Sequence, residues 1–356
     1  MKQLSDTPVI AVIGCGMMGS AITWPAADNG CRIRLVGSVL DDKIIDHAKK
    51  TGEHLTLKRP IPHPDRYSFY RFSELDEALA GVDLTICGVS SFGLDWYMEN
   101  VIPRLPDGVP VLSVTKGMLH LGGGEMISYP EKMEEISAKY GKNIDFMAVG
   151  GPCTSYELAD HDPSAVTFCG RKPELLRQVR SYFEAPYYHV SLSTDVRGVE
   201  CAVALKNAYA LGVSLAVGLS YKREGREFEH YNSQAALFAQ SVREMTDLIT
   251  LAGGGADCLP LGVGDLYVTI FGGRTRKLGI LLGEGKSFAE AKAALAGVTL
   301  ESTVIAVRTV EAVQALEAAG KIGSGRFPLL FHIGRLLAGE TGKDVPWDKF
   351  ESEKLS

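Results

Sequence analysis

The stretch Pro8–Gly19, which reads PVIAVIGCGMMG, decides how the amino-terminal half of the chain is interpreted. Its first six residues are apolar throughout, as expected of a strand that is covered on both faces of a parallel sheet. The glycines that follow match the pattern G-x-G-x-x-G. Between a strand and a helix, this pattern is typical of a turn that binds a dinucleotide.

Each glycine of this turn has an expected role. Gly14 makes the tight turn, Gly16 lets the backbone approach a pyrophosphate, and Gly19 permits close packing of helix and strand. The helix that starts here offers backbone N–H groups to an anion. The cofactor-binding turn is therefore predicted to comprise Gly14, Cys15, Gly16, Met17, Met18 and Gly19.

The end of the second strand bears on the choice of cofactor. The second strand is predicted at Arg32–Val36, and a ribose-binding carboxylate is expected near its end, about 20 residues after the glycines. The chain has Ser38 there, and Asp41 and Asp42 come later. The sequence therefore leaves NAD and NADP open as cofactors.

Strands alternate with helices up to about residue 193, which predicts βαβ units and a mostly parallel sheet. Helices are expected at Ser20–Gly30 and Leu75–Leu79, and Leu55–Tyr70 is interpreted as a loop rich in proline and aromatic residues. Further strands are predicted at Asp83–Val89, Val109–Val114, Phe146–Val149, Ala165–Phe168 and Tyr188–Leu192.

The periodicity becomes helical from Val196 to about Leu337. We therefore predict an α/β Rossmann domain at residues 1–193, followed by an all-α substrate-binding and catalytic domain at residues 194–356. The last stretch, Glu340–Ser356, is mostly charged and polar. We interpret it as a loosely docked tail with Trp347 and Phe350 as anchors.

Composition excludes several classes of function. The net charge of −6 argues against nucleic acid as a partner, because phosphate backbones select basic surfaces. Seven cysteines occur without zinc-like spacing, which indicates reduced thiols and no metal site. The chain starts without an apolar signal segment and lacks an uncharged apolar run of about 18 residues. We therefore expect a cytoplasmic protein without a membrane span.

Chemistry-bearing residues gather between positions 201 and 277. The segments are Leu205–Asn207 (LKN), Gly262–Leu266 (GVGDL) and Gly272–Lys277 (GGRTRK). Taken alone, a Lys-Asn pair on a helix is usually a solvated face, and Asp265 could cap a helix. Arg276 and Lys277 are interpreted as ordinary surface charges.

The order of these motifs resembles that of the NAD(P)-dependent glycerol-3-phosphate dehydrogenases, particularly the archaeal-type members. The resemblance extends from Val9 to about Leu337. The segments that carry it are GCGMMGSA at 14–21, SVTKG at 113–117, GGPCTSYE at 150–157, GVECAVALKN at 198–207, NSQAAL at 232–237, REM at 243–245, GVGDL at 262–266 and GGRTRK at 272–277.

The resemblance implies a homodimer that interconverts sn-glycerol 3-phosphate and dihydroxyacetone phosphate. It makes Lys206 the acid/base at the C2 oxygen, with Lys116 beside it and Asp265 ordering the site. The implied substrate contacts are Asn207, Thr269, Arg274 and Thr275. The implied cofactor contacts outside the glycine turn are Ser38, Phe92 next to the nicotinamide, Lys116, Arg274 and Glu301.

Elementary chemistry agrees with these roles. Hydride transfer from a secondary alcohol requires a group that takes the hydroxyl proton. A lysine does this near neutral pH only where burial or a second cation favours its neutral form. Lys116 and the oxidised nicotinamide are the expected cations. An arginine at a glycine-preceded helix start, as Arg274 is, can bind phosphate bidentately.

Some positions depart from the family pattern. Thr275 replaces a frequent asparagine, Glu301 replaces glutamine in some members, and Gln234 replaces a frequent lysine. Cys153, where serine is common, is interpreted as a packing residue. These departures leave open a different phosphorylated polyol or a hydroxy acid as substrate.

Two other interpretations compete with this one. Enzymes similar to 6-phosphogluconate dehydrogenase or ketopantoate reductase share the layout, but the LKN and GGRTRK segments favour the first interpretation. A nucleotide sensor that has lost its chemistry is the alternative from another class. Against it stands the joint presence of Lys116, Lys206, Asp265 and Arg274.

Overall fold

The computed structural model describes residues 7–226, 229–341 and 344–350. The strands are β1 (Val9–Ile13), β2 (Arg32–Val36), β3 (Glu53–His54), β4 (Arg59–Pro60), β5 (Tyr67–Tyr70), β6 (Leu84–Cys87), β7 (Val111–Ser113), β8 (Met118–Gly122), β9 (Glu125–Ser128), β10 (Phe146–Gly150), β11 (Ser164–Cys169) and β12 (Tyr188–Ser193).

The helices follow the same chain order. They are α1 (Met17–Ala21), α2 (Thr23–Asp28), α3 (Asp42–Thr51), α4 (Leu75–Leu79), α5 (Leu94–Asn100), α6 (Tyr129–Lys139), α7 (Ser155–Ala159), α8 (Pro173–Phe183), α9 (Val196–Glu224), α10 (Tyr231–Leu251), α11 (Leu259–Ile270), α12 (Gly273–Gly283), α13 (Phe288–Ala294), α14 (Glu301–Ala318) and α15 (Pro328–Leu337).

Eight strands of the described chain form one sheet in the order β12-β11-β10-β7-β6-β1-β2-β5. Neighbouring strands are parallel except for β10 and β11, which run antiparallel. The chain adds β2 and β5 on one side of β1, and then β6, β7 and β10 on the other. This reversal opens a crevice at the carboxyl ends of β1 and β6, the usual ligand site of doubly wound sheets. The predicted class, a mostly parallel sheet followed by helices, is confirmed.

Two segments of the sheet half differ from the sequence prediction. The helix expected over Ser20–Gly30 is divided into α1 and α2, which separate at Ile22. Pro25 has no N–H to donate to the carbonyl of Ala21, so a single helix cannot continue through this point. The expected loop Leu55–Tyr70 contains β4 and the edge strand β5. Strand β5 itself contains no proline, and it was hidden by Pro60, Pro62 and Pro64, which give the preceding residues the composition of a loop.

The described residues group into two compact units. The first contains the residues up to Lys116 together with Ser128–Val199, and the second contains Gly117–Ile127 together with the residues from Glu200 onward. The domain boundary that the sequence predicts between residues 193 and 194 stays a prediction. The segment Gly117–Ile127 groups with helices that lie far away in sequence.

Specific contacts hold this segment on α14. The Arg308 guanidinium donates to the carbonyl oxygen of Met118 at 3.1 Å. Gly124 has φ +87°, and a Cβ there would lie 2.5 Å from the side chain of Leu316. Glycine at 124 therefore allows the β8–β9 turn to lie directly against the helix.

The second unit is built around α9, a helix of 29 residues. By length and composition α9 could cross a membrane, but 83% of its most apolar window is buried inside the protein, which is typical of a core helix. Glycines bring its neighbours close. A Cβ on Gly262 of α11 would lie 2.5 Å from the carbonyl oxygen of Ala202, and one on Gly279 of α12 would lie 2.6 Å from that of Leu211. The sequence thereby places α11 and α12 against the part of α9 that carries Lys206.

The carboxyl-terminal segment docks through an aliphatic residue. Val345 is buried, whereas Trp347, one of the two expected anchors, is 39% exposed. The carbonyl of Phe350 accepts a hydrogen bond from Arg243 at 3.4 Å. The rest of the expected tail, at 342–343 and 351–356, lies outside the described residues.

Candidate active site

The glycine turn lies in the crevice between β1 and β6. Gly14 has φ +100°, and a Cβ there would lie 2.8 Å from the backbone of Gly88, which follows β6. A Cβ on Gly19 would lie 2.4 Å from the carbonyl oxygen of Gly14. These contacts leave no room for a side chain, so the turn is set tightly against β6. Gly88 was not predicted as part of this turn, because its contacts with Gly14 and Gly19 exist only once β6 is adjacent to β1.

The space next to Gly16 is open, in contrast to the space at Gly14 and Gly19. A Cβ at Gly16 would have one neighbour within 4 Å, the carbonyl oxygen of Gly88 at 3.9 Å. The space in front of Gly16 is therefore open, and a side chain would project into it. This open backbone face at the carboxyl edge of a parallel sheet fits the pyrophosphate of a dinucleotide.

The peptide group of Cys15 is held from both sides. Its N–H donates to Asp41 Oδ2 at 3.1 Å, and its carbonyl lies 3.1 Å from His54 Nε2. The thiol itself is fully buried, and burial raises its pKa well above the ordinary value. Cys15 therefore contributes its backbone to the site, and its thiol packs in the core.

The other residues expected at the cofactor lie along the same edge of the sheet. Ser38 follows β2, and Phe92 lies in the short 3-10 helix Ser91–Gly93 that follows β6. Phe92 is 56% exposed, so its ring is accessible to a ligand. Lys116 follows β7, and its ammonium donates to the carbonyl oxygen of Gly151 at 2.9 Å. The first unit thus collects these three side chains where its parallel strands end.

The second unit contains a buried ion pair. Lys206 on α9 donates to Asp265 Oδ1 on α11 at 2.5 Å, and the two side chains are 15% and 1% exposed. The hydroxyl of Thr269 donates to the backbone carbonyl of Asp265 at 2.6 Å. Asp265 lies in the middle of α11, so it is not a helix cap. The pair keeps one ammonium group fixed and partly accessible to solvent.

Two arginines at the start of α12, Arg274 and Arg276, differ in their contacts. Arg276 donates to the carbonyl oxygen of Ile270 at 2.8 Å and to Glu229 at 3.1 Å, so it holds the local structure together. Arg274 is exposed and forms no ion pair within the described ranges. The N-cap is Gly272, which provides no side-chain cap. Arg274 and Thr275 therefore lie at an uncapped helix start with a free guanidinium.

The two units match the two models of one protein family. Residues 9–175 match the NAD-dependent glycerol-3-phosphate dehydrogenase N-terminus, and residues 195–345 match the C-terminus of the same family. The chain belongs to this family.

The sequence similarity to other members of the family covers most of this chain. An NADP(+)-dependent glycerol-3-phosphate dehydrogenase of Archaeoglobus fulgidus is 28% identical over 285 residues, 80% of this chain and 82% of the relative. A glycerol-3-phosphate dehydrogenase [NAD(P)+] of Shouchella clausii is 28% identical over 334 residues, 91% and 92% of the two chains.

Solved structures give the same result for the fold. Glycerol-3-phosphate dehydrogenase of Coxiella burnetii has a TM-score of 0.74 at 25% identity and covers 93% of this chain and 94% of its own. The Plasmodium falciparum enzyme has a TM-score of 0.78 at 20% identity and covers 99% and 97%. A ketopantoate reductase of Ralstonia eutropha matches less well, with a TM-score of 0.53 at 16% identity over 93% and 98%.

Two residues that depart from the family pattern, Gln234 and Glu301, lie in the second unit. Gln234 lies near the start of α10, and its buried Nε2 has no hydrogen-bond partner among the described residues. Glu301, expected at the cofactor, is the half-buried first residue of α14. Asn207, next to Lys206, is half-buried as well. In the sequence Asp41 stands only as a carboxylate that comes late after β2, and nothing there marks His54. Their contacts with Cys15 were not predicted, because neither residue stands at a position that the glycine motif specifies.

Proposed function

We propose that the protein interconverts sn-glycerol 3-phosphate and dihydroxyacetone phosphate, with NAD or NADP as the hydride carrier and Lys206 as the acid/base. The observation that carries this proposal is the buried pair of Lys206 and Asp265. A lysine amine held by a carboxylate, with part of its surface open, can give one proton to a substrate oxygen as the ammonium and take one as the neutral amine. Membership of the family and the open backbone at Gly16 support the same reaction.

The proposed roles follow from the direction of reaction. A nicotinamide dinucleotide held at the glycine turn would supply hydride transfer to or from C2 of the substrate. During oxidation, Lys206 Nζ accepts the proton of the C2 hydroxyl; during reduction, it gives that proton to the C2 oxygen. Asp265 keeps Nζ oriented through their short hydrogen bond. The proposed role of Lys116 is to supply positive charge that stabilises the developing alkoxide.

The phosphate of the substrate is assigned to the start of α12. Arg274 offers a guanidinium that no described acidic group occupies, and guanidinium binds phosphate oxygens in a fork. The N-terminal backbone of an uncapped helix favours an anion at the same place. Thr275 and Asn207 can supply further hydrogen bonds to phosphate and hydroxyl oxygens.

We propose a homodimer that resides in the cytoplasm. Exposed aromatic residues support self-association: Tyr231, Tyr267 and Phe271 are 73%, 57% and 63% exposed. The seven cysteines all lie in described ranges and form no disulfide, which supports a reducing compartment. Sedimentation velocity tests the dimer, and fractionation of cells tests the location. A monomer at micromolar concentration or a secreted protein would refute the respective part.

The assay that tests the reaction is oxidation of NADH and NADPH by the purified protein. Dihydroxyacetone phosphate is compared with unphosphorylated dihydroxyacetone and with longer phosphorylated ketoses. We expect turnover with dihydroxyacetone phosphate above all others. Preferred turnover of a longer ketose phosphate would identify a different polyol phosphate as substrate. Nucleotide binding without turnover of any ketone would favour a sensor.

A further inference from the structure

Asp41 contacts the glycine turn, although it lies more than 20 residues after that turn in the sequence. It comes five residues after the last residue of β2, and the chain folds back so that the N–H of Asp41 donates to the carbonyl of Ser38 at 3.1 Å. Its Oδ2 atom accepts three hydrogen bonds: from Cys15 N at 3.1 Å, Ser38 N at 2.8 Å and Ser38 Oγ at 2.7 Å. The carboxylate therefore bridges the glycine turn and the end of β2.

The other carboxylate oxygen, Oδ1, accepts no hydrogen bond within the described part of the chain, and the residue is only half-buried. In a dinucleotide fold, the adenosine ribose lies between the glycine turn and the end of the second strand. A free carboxylate oxygen at this place is a natural acceptor for a ribose hydroxyl. The same oxygen would repel a phosphate group on that ribose.

The turn that carries Asp41 contains no basic residue to offset its charge. The turn from Ser38 to Asp41 reads SVLD, and its middle residues Val39 and Leu40 are apolar and 59% and 88% exposed. Arg71, which follows the adjacent strand β5, is bound by Asp46 at 2.7 Å. His54 binds the carbonyl of the same Cys15 peptide, and the burial of its ring lowers the pKa of His54, which favours the neutral form.

We infer that Asp41 reads the 2′-hydroxyl of the adenosine ribose and makes the protein prefer NADH to NADPH. This inference rests on the proposed function, because it assumes that the dinucleotide binds at the glycine turn. Like charges placed next to each other at a binding site repel, so the preference should amount to about tenfold or more.

The test measures binding and needs no turnover. Dissociation constants of NADH and NADPH are determined by fluorescence titration, and those of 5′-AMP and adenosine 2′,5′-bisphosphate by competition. We expect the wild-type protein to bind NADH about tenfold or more tightly than NADPH. It should likewise bind 5′-AMP about tenfold or more tightly than adenosine 2′,5′-bisphosphate. In Asp41→Asn, the amide oxygen can still accept the hydrogen bonds that Oδ2 receives, and an NH2 group that donates hydrogen bonds replaces Oδ1. This substitution should reduce the preference about tenfold, mainly through tighter NADPH binding.

Asp42→Asn is the matched control, because Asp42 is an exposed acid at the first residue of α3. It should leave the ratio unchanged. Equal or tighter binding of NADPH by the wild type overturns the inference, and so does an equal loss of both nucleotides in Asp41→Asn. If that variant does not fold, the wild-type comparison of the two adenosine phosphates decides. Failure to reduce dihydroxyacetone phosphate, with NADH still preferred, would refute the proposed function and leave this inference standing.

Discussion

The Nε2 atom of His54 lies 3.1 Å from the backbone carbonyl oxygen of Cys15, within the glycine turn. The other ring nitrogen, Nδ1, accepts the N–H of Leu57 at 3.1 Å. Because a neutral imidazole carries one proton, that proton is on Nε2 and is donated to Cys15. The burial of the ring lowers the pKa of His54, which favours the same neutral form. A buried side chain from β3 therefore fixes the cofactor turn.

His54→Leu removes both of these hydrogen bonds. The N–H of Leu57 then loses its partner, and the carbonyl of Cys15 keeps only the Ser20 hydroxyl at 3.3 Å. A buried polar group left without its hydrogen bond costs about 1–3 kcal/mol. We expect the free energy of unfolding, measured with urea, to fall by that order, and NADH to bind more weakly. His189→Leu, at an exposed position of β12, is the control. Unchanged NADH affinity in a folded His54→Leu protein would contradict this role.

His332, on α15, should make stability depend on pH. Burial lowers its pKa from 6.5 to about 4, and Nδ1 has no hydrogen-bond partner in the described structure. Between these two values the unfolded chain binds the proton and the folded protein does not. The contribution to stability is therefore complete above pH 6.5 and is lost as the pH falls towards 4.

The expected loss from His332 is on the order of 2 kcal/mol over this window. Urea unfolding at several pH values between 7.5 and 4.5 measures it, and His332→Leu should flatten the profile because it removes the titrating group. A variant whose free energy of unfolding falls as steeply as that of the wild type would show that other groups cause the dependence.

Lys206→Ala should abolish turnover while nucleotide binding persists, because Lys206 and the glycine turn belong to different units. Removal of an acid/base group costs roughly 10²–10⁴-fold in rate. The measurement is kcat for NADH oxidation with saturating dihydroxyacetone phosphate, together with an NADH titration. Lys222→Ala, an exposed lysine at the other end of α9, is the control and should behave as wild type. A kcat near normal in Lys206→Ala would refute the assignment.

Arg274→Met should raise KM for the phosphorylated substrate roughly ten- to a hundredfold, since a charge-assisted contact is worth about 1.5–3 kcal/mol. The weak activity on unphosphorylated dihydroxyacetone should change little, because that molecule lacks the group that Arg274 binds. Lys277→Met, an exposed cation in the next turn of α12, is the matched control. Equal losses on both substrates would show that Arg274 supports the fold and does not bind phosphate.

Thr275→Asn tests the size of the substrate. An amide can donate two hydrogen bonds where the hydroxyl donates one. If the site binds glycerol 3-phosphate, the variant should keep or improve kcat/KM for dihydroxyacetone phosphate. A selective loss with longer ketose phosphates would indicate that Thr275 makes room for them. Equal effects on short and long substrates would exclude any role of Thr275 in selecting substrate size.

Local patterns were enough to predict most of the elements and several of the site residues. Apolar runs without alternation gave the buried strands β1, β6 and β10, because strands covered on both faces need no polar positions. The glycine turn was visible because its chemistry depends on residues that are neighbours in sequence. The prolines around β4 and β5 hid those strands, since pairing at an edge depends on the neighbouring strand and not on the segment itself.

What the sequence by itself determined is the class of fold and the residue types that carry the chemistry: the glycine turn, Lys206 and Asp265, and Arg274 at a glycine-preceded helix start. Only the tertiary structure decided that Gly88 closes the turn, that His54 and Asp41 hold the peptide of Cys15, and that Gly117–Ile127 groups with the helices. The physical reason is the distance along the chain. Hydrogen bonds and close backbone contacts between residues tens of positions apart exist only after the sheet and the helices have packed, and no local pattern records them.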